Sequence, residues 1–444
     1  MKLDNWLAQR SQSCPNRPAL ICDGEAITFA ELENEAVHAA RRLAAFGVRR
    51  GACVAMTMGG GSRQIVLMHA LMKTGAELLP LSPRLSSEER SRVIDLCGVT
   101  VDLDDTTRLT QTEADMPLLG EHDMEDVHCR IMTSGSTGDA RSVPLSYGNH
   151  LFSAMGSAFN IGVDPSDRWL CALPLSHISG LSIAMRSVIY GTTMVLQDEF
   201  DPGMVSKAIE EDGVSVISMV STMLVRLLDD GIDLSAPRAI LVGGGPVPQG
   251  ALEEALGRGA PVIQTYGLTE TCSQVTTLEV SEARRKVGSV GRPLLTSHLR
   301  INEGEILVQG PTVSATALDA DGWLHTGDVG RIDEDGFLYV EGRTDEMIIT
   351  GGENVAPAEV EDVLVRHPEI LEAAVVGRPD PEWQQVVTAV VVLGSGSSLG
   401  EDEIRRHCAD SLSAYKVPKR VEIVESLPRT ASGKLHRAAL SEAG

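Results

Sequence analysis

The sequence predicts an α/β protein in two parts: a large N-terminal domain of layered α/β subdomains, residues 1–343, and a small α+β domain, residues 344–444. Three observations carry that expectation. Helical stripes alternate with short apolar runs up to about residue 300, residues 300–342 read as hairpins, and past Arg343 a new set of helix and strand patterns begins. The length of 444 residues and 43% hydrophobic content allow a sizeable core, which excludes disorder and small stapled scaffolds.

Taken in order, Thr28-Phe29-Ala30-Glu31 is a capping box. It opens a helix whose apolar stripe is Leu32, Ala36, Ala39 and Leu43, with Gly47 as its stop. A strand is expected over 52–56, a helix over 64–72 and a strand over 77–81. Ser86-Ser87-Glu88-Glu89 caps a further helix. Asp335-Gly336 is a tight-turn signal between two short runs. The small domain reads helix (358–366), strand (373–376), strand (386–392), helix (401–411), strand (421–424), then a polar tail. The joint falls at Arg343-Thr344-Asp345.

Charge narrows the function. With 38 Lys+Arg against 62 Asp+Glu, the net charge is −24, a field that repels nucleic acid and anionic lipid at long range. No nucleic-acid partner and no membrane insertion are therefore expected. Met1 to Asn5 opens without an apolar signal segment, so a cytoplasmic location is expected. The eight cysteines include no C-x-x-C pair and are expected to be reduced. Cations gather near the C-terminus as Lys416, Lys419, Arg420, Arg429, Lys434 and Arg437, and small anions are expected to be met there.

Four segments carry chemistry. Thr133-Ser134-Gly135-Ser136-Thr137-Gly138 combines hydroxyls and glycines that let backbone and side-chain donors approach phosphate oxygens, with Arg141 close behind. It lacks the Gly-Lys-Ser/Thr of a Walker loop. Gln264-Thr265-Tyr266-Gly267-Leu268-Thr269-Glu270 offers a ring to stack on a base and a carboxylate that suits Mg²⁺. Taken alone, Tyr266 would read as core and Glu270 as a solvated residue. Asp328 in Gly327-Asp328, with Arg343, has the acceptor and donor groups that a ribose requires. Finally, Arg429-Thr430-Ala431-Ser432-Gly433-Lys434 is a loop that ends in a lysine.

Together, in this order and spacing, the four segments resemble the signature of the acyl-adenylate-forming superfamily of acyl-CoA ligases, luciferases and peptide-synthetase adenylation domains. The resemblance spans nearly the whole chain. It implies a large N-terminal domain with a small β-barrel-like part, and a small mobile C-terminal domain. It implies ATP, Mg²⁺ and coenzyme A as partners in a two-step ligation. By the same resemblance, residues 133–138 and Arg141 meet the phosphates. Tyr266, Gly267 and Thr269 face the nucleotide opposite Gly243, Gly244, Gly245 and Pro246. Glu270 and Thr137 hold Mg²⁺, and Asp328 and Arg343 hold ribose. Lys434 bridges carboxylate and α-phosphate, and Asp345 is the hinge. Two features depart from the pattern: Ala140-Arg141-Ser142 stands where Pro-Lys-Gly is usual, and the stretch 311–321 is short, which suggests a trimmed loop.

The acyl pocket is expected around Leu173-Pro174-Leu175-Ser176-His177, with Arg186 inside the apolar stretch 183–190. A second cation there suits a diacid, since a plain fatty acid gives it nothing to bind. With residues 264–277 and Gly288 to Leu294, this arrangement is similar to the 2-succinylbenzoate–CoA ligases of menaquinone synthesis, a compact branch of the superfamily. That resemblance implies an aromatic dicarboxylic acid as substrate. His177 and Gly267 would then border the reacting carboxylate, and Arg186 would hold the ring carboxylate. Three other readings stand beside this one: another aryl- or acyl-CoA ligase, an adenylation enzyme that loads a separate carrier protein, and a nucleotide-binding regulator without catalysis. A homo-oligomer is compatible with the sequence.

Overall fold

Local signals set most elements where the sequence puts them. Thr28 Oγ1 accepts from the Glu31 amide at 3.2 Å and Glu31 returns the bond to the Thr28 amide at 2.9 Å, which starts the helix Phe29–Phe46. Its stripe residues Leu32, Ala36, Ala39 and Leu43 are all buried. Ser86 and Glu89 form the same reciprocal cap on the helix Ser87–Cys97. The computed structural model describes residues 1–104, 109–134, 140–429 and 435–442.

The chain divides into two compact units. The first comprises Met1–Val247, Ala251–Leu299 and Val308–Leu324, and the second Pro248–Gly250, Arg300–Leu307 and His325–Gly444. The first unit holds a five-stranded sheet in the order Val101–Leu103, Cys53–Thr57, Glu77–Leu81, Val127–Ser134, Ala140–Ser146. The last two strands form an antiparallel hairpin that pairs Thr133 with Arg141. A nine-stranded sheet in the same unit is parallel through its centre. There Val195 pairs with Ile21, Leu170 with both Val195 and Ile217, Ile217 with Ile240, and Ile240 with Val262. Continuous apolar strands of this kind are covered on both faces. On one face Leu224, Leu227, Leu228, Leu252 and Ala255 pack against Ile21, Leu170, Ile217 and Ile240 in one buried cluster.

A four-stranded sheet, most of whose residues belong to the second unit, runs in chain order through His298–Asn302, Glu305–Gln309, Leu324–Ile332 and Leu338–Arg343. The Asp335–Gly336 turn joins the last two strands, as its sequence implies. A second sheet runs Glu353–Val355, Ile348–Thr350, Gln384–Leu393, Ile370–Asp380, and Arg420–Ile423 pairs in parallel with Gln384–Leu393. Val360, Leu364, Val375, Val387, Val391 and Ile404 fill its core. Two differences from the sequence reading stand out. Residues 325–343 group with the C-terminal segment, so the position 343–345 lies inside the second unit. The tail is also not merely polar, because Arg437–Glu442 is helical and buries Leu440 against Ala374, Val376 and Val390.

Candidate functional site

Parallel sheets gather ligand-binding loops at the carboxyl ends of their strands, and three expected segments of the first unit leave the nine-stranded sheet there. Gly243–Pro246 follows the strand Ala239–Val242, and Tyr266 and Gly267 close the adjacent strand Val262–Leu268. His177 comes shortly after Arg168–Cys171, which runs parallel in the same sheet. A Cβ on Gly243 would lie 2.8 Å from both the carbonyl oxygen and Cγ2 of Thr265, so only glycine lets these two neighbouring segments approach.

The turn after Tyr266 is tightly specified. A Cβ on Gly267 would sit 1.8 Å from the Ser273 carbonyl oxygen. Thr271 Oγ1 accepts from the Leu268 amide at 2.9 Å and bonds the Ser273 carbonyl at 2.8 Å. Cys272 and Ser273 take φ of 51° and 89°, values that side-chain-bearing residues seldom adopt. Tyr266, Thr269 and Glu270 are half-buried. Among the described residues no cation pairs with the Glu270 carboxylate, which leaves it able to receive a metal ion. Of the residues expected to meet the phosphates, Thr133 lies next to the end of the strand Val127–Ser134 and donates to the Arg141 carbonyl at 3.4 Å, and Arg141 is exposed. Ser134 pairs with Ala140 across the hairpin. Gly135, Ser136, Thr137 and Gly138 lie outside the described residues.

His177 is half-buried as the N-cap residue of the helix Ile178–Tyr190. Arg186 lies on that helix at 3% exposure. Its Nη2 donates to Ser153 Oγ at 3.0 Å and its guanidinium lies 5.8 Å from the Trp169 ring centre. Nε is buried with no hydrogen-bond partner among the described residues, and no described carboxylate pairs with it. Burial pushes its pKa down. A buried guanidinium without a counter-ion favours an anion from outside the protein.

Beneath this site lies a buried network. His150 Nε2 meets His128 Nδ1 at 3.1 Å and Cys129 Sγ at 3.5 Å, and its Nδ1 meets Cys272 Sγ at 3.4 Å. The register shift between Val127 and Cys129 lets two consecutive strand residues reach one imidazole. His128, Cys129 and His150 are close enough to share an ion. Burial, followed by the Arg186 charge, lowers the His150 pKa to about 3, and the same positive charge disfavours a cation there. The network is therefore neutral. All eight cysteines are free thiols, as expected.

Two serines with no motif around them in the sequence contribute here. The amide of buried Ser314 donates to the Glu270 carbonyl at 2.7 Å, and its hydroxyl donates to the Pro144 carbonyl at 2.7 Å. Ser314 thereby ties the turn that carries Glu270 to the strand Ala140–Ser146. Ser153 donates to the Cys272 carbonyl at 2.6 Å. The short stretch after Pro311 is ordered: Asn149 Nδ2 donates to the Pro311 and Val313 carbonyls at 2.9 and 3.1 Å.

In the second unit Asp328 and Arg343 are cross-strand partners. Arg343 Nη1 donates to Asp328 Oδ1 at 3.1 Å and to the Thr326 carbonyl at 3.0 Å, and its Nε reaches Asp345 at 3.4 Å. Burial works to lower the Arg343 pKa, but the Asp328 and Asp345 charges outweigh it and raise it. Lys434 lies outside the described residues. Three residues on, Arg437 holds Glu361 Oε2 at 2.9 Å and Glu346 at 3.1 Å. Several C-terminal cations also have partners within the chain: Lys416 pairs with Glu359, Arg429 pairs with Glu372, and Lys419 covers the Trp383 ring at 3.1 Å.

Comparison with known proteins gives the family. The model of the AMP-binding enzyme family matches residues 7–316, and that of the AMP-binding enzyme C-terminal domain matches residues 359–434. The chain belongs to that family. A 2-succinylbenzoate–CoA ligase of Bacillus mycoides is 40% identical, with 99% of this chain and 98% of that protein covered. The o-succinylbenzoate CoA synthetase (MenE) of Bacillus subtilis, solved with the acyl-adenylate OSB-AMP, is 37% identical with a TM-score of 0.94, over 100% of this chain and 99% of that one. The same synthetase with ATP and a magnesium ion is 38% identical with a TM-score of 0.93, over 100% of both chains.

Proposed function

We propose that the chain is an ATP-dependent 2-succinylbenzoate–CoA ligase that forms AMP and serves menaquinone synthesis. In the first step a carboxylate oxygen of the acid attacks the α-phosphorus and pyrophosphate leaves. In the second the CoA thiol attacks the acyl carbon and AMP leaves. The observation that carries the choice of acid is Arg186, buried to 3% exposure with no described carboxylate partner, on the helix that His177 caps. A ring carboxylate supplies the missing anion. The family relatives named above support the same acid.

The remaining roles follow from charge. Two anions must approach in the first step, so cations have to offset charge that grows in the transition state. Lys434 supplies one. Mg²⁺ would supply the other, with Glu270, whose carboxylate pairs with no described cation, and Thr137 as the residues that would hold it. The phosphates meet residues 133–138 and Arg141. Tyr266 and Gly267 lie against the base, opposite Gly243–Pro246. Asp328 and Arg343 take the ribose hydroxyls. Arg343 also bonds Asp345, the residue that would serve as hinge for the change between the two steps.

A panel of acids tests this. With ATP, Mg²⁺ and CoA, AMP release is expected to be fastest with 2-succinylbenzoate, with benzoate and medium-chain fatty acids at least about 100-fold slower in kcat/KM. Equal or better turnover of a monocarboxylate would overturn the assignment. Acyl transfer to a carrier protein but not to free CoA would do the same.

A further inference from the structure

We propose that Ser153 is a positioning residue that aims Arg186 at the second carboxylate of the acid, and so sets the preference for a dicarboxylate. The inference rests on the substrate reading above and adds a residue to it.

A guanidinium has five donors on a long stem, and only fixed acceptors give it one orientation. Among the described residues, the hydrogen-bond acceptor found for the Arg186 head is Ser153 Oγ, at 3.0 Å. Ser153 is itself 2% exposed on the helix Tyr147–Ile161. Its single proton goes to the Cys272 carbonyl at 2.6 Å, so its lone pairs are left to face the guanidinium. The Cys272 carbonyl is not free to drift. It belongs to the left-handed turn that follows Tyr266 and Glu270, and its thiol is held by His150. Arg186 is thereby referenced to the same turn that carries the nucleotide motif. Arg186 Nε, buried and unpartnered, remains for the incoming anion. Alanine at 153 would leave both the Cys272 carbonyl and Arg186 Nη2 unsatisfied in a dry site, and the guanidinium would settle elsewhere.

The test compares two acids on the purified full chain: 2-succinylbenzoate and 4-oxo-4-phenylbutanoate, which is the same acid without the ring carboxylate. Ser153→Ala should raise KM for the diacid on the order of tenfold and leave KM for the monoacid within about twofold. In an Arg186→Ala background the same change should add nothing further to the diacid KM, because Ser153 acts through Arg186. Ser153→Cys, closer in volume, should show the same split in smaller measure and covers a failure of the alanine variant to fold. Equal losses on both acids, or additive effects in the double variant, would overturn the proposal. A wild-type chain that does not distinguish the two acids would instead overturn the substrate reading.

Discussion

At the scale of single residues, several of the proposed functional groups have closely specified surroundings within their own unit. Arg186 is buried without a described counter-ion, Gly267 has no room for a side chain, and Asp328 lies across the strand pair from Arg343. Gly267 makes the sharpest case. An added methyl would meet backbone atoms of Ser273, which cannot swing aside as a side-chain tip can. Gly267→Ala should therefore displace the Tyr266–Glu270 turn by several tenths of an ångström or more. Adenylate formation should fall on the order of 100-fold while the thermal midpoint moves only modestly. Retention of near-normal adenylation rates would show that the turn does not hold the nucleotide. The residue types of this motif were visible in the sequence, but what fixes them was not. Ser314 acts through carbonyls of Glu270 and Pro144, and Ser153 through that of Cys272, and the longest of these links spans 170 residues of chain. Carbonyls leave no compositional trace.

At the scale of elements, capping and periodicity carried most of the reading. The capping boxes at Thr28 and Ser86 and the alternation from 28 to 97 are local events, and they appear where local rules put them. The C-terminal helix Arg437–Glu442 did not announce itself, because six residues carry no readable period and its anchors Glu346 and Glu361 are distant in sequence. Helix Ser62–Thr74 makes a further prediction. His69 is 1% exposed, neither ring nitrogen finds a partner, and burial, with a smaller contribution from Lys73, lowers its pKa to about 3. The ordinary value near 6.5 returns on unfolding, so between about pH 6.5 and 3 the unfolded chain binds a proton that the native chain refuses. Stability from this residue is complete above about pH 6.5 and is lost as pH falls. His69→Leu should keep or raise the melting temperature at about pH 7.5. Its advantage over wild type should widen at about pH 5.5 and again at about 4.5. A constant difference across that range would contradict the neutral, buried histidine.

At the scale of the whole molecule, a chain of net charge −24 must handle ATP, CoA and a diacid, all of them anions. Among the described residues several cations are committed to internal pairs. Lys416, Arg429 and Arg437 are paired with Glu359, Glu372 and Glu361. Arg343 shares its charge with Asp328 and Asp345. Within the first unit, Arg186 is a buried cation without a described counter-ion. In the proposed mechanism a bound metal and Lys434 would offset the phosphate charge of the first step, and neither would be required to offset it in the second. The most direct test separates the two steps. Wild type and Lys434→Ala are each given ATP, Mg²⁺ and 2-succinylbenzoate without CoA, and separately the preformed acyl-adenylate with CoA. Wild type should release pyrophosphate and hold the acyl-adenylate before CoA is added, then convert it to thioester and AMP. Lys434→Ala should lose the first half-reaction by a factor on the order of 1,000 and keep the second within about tenfold. Pyrophosphate release that requires CoA, or equal loss of both half-reactions in the variant, would contradict a two-step ligase with Lys434 confined to adenylation.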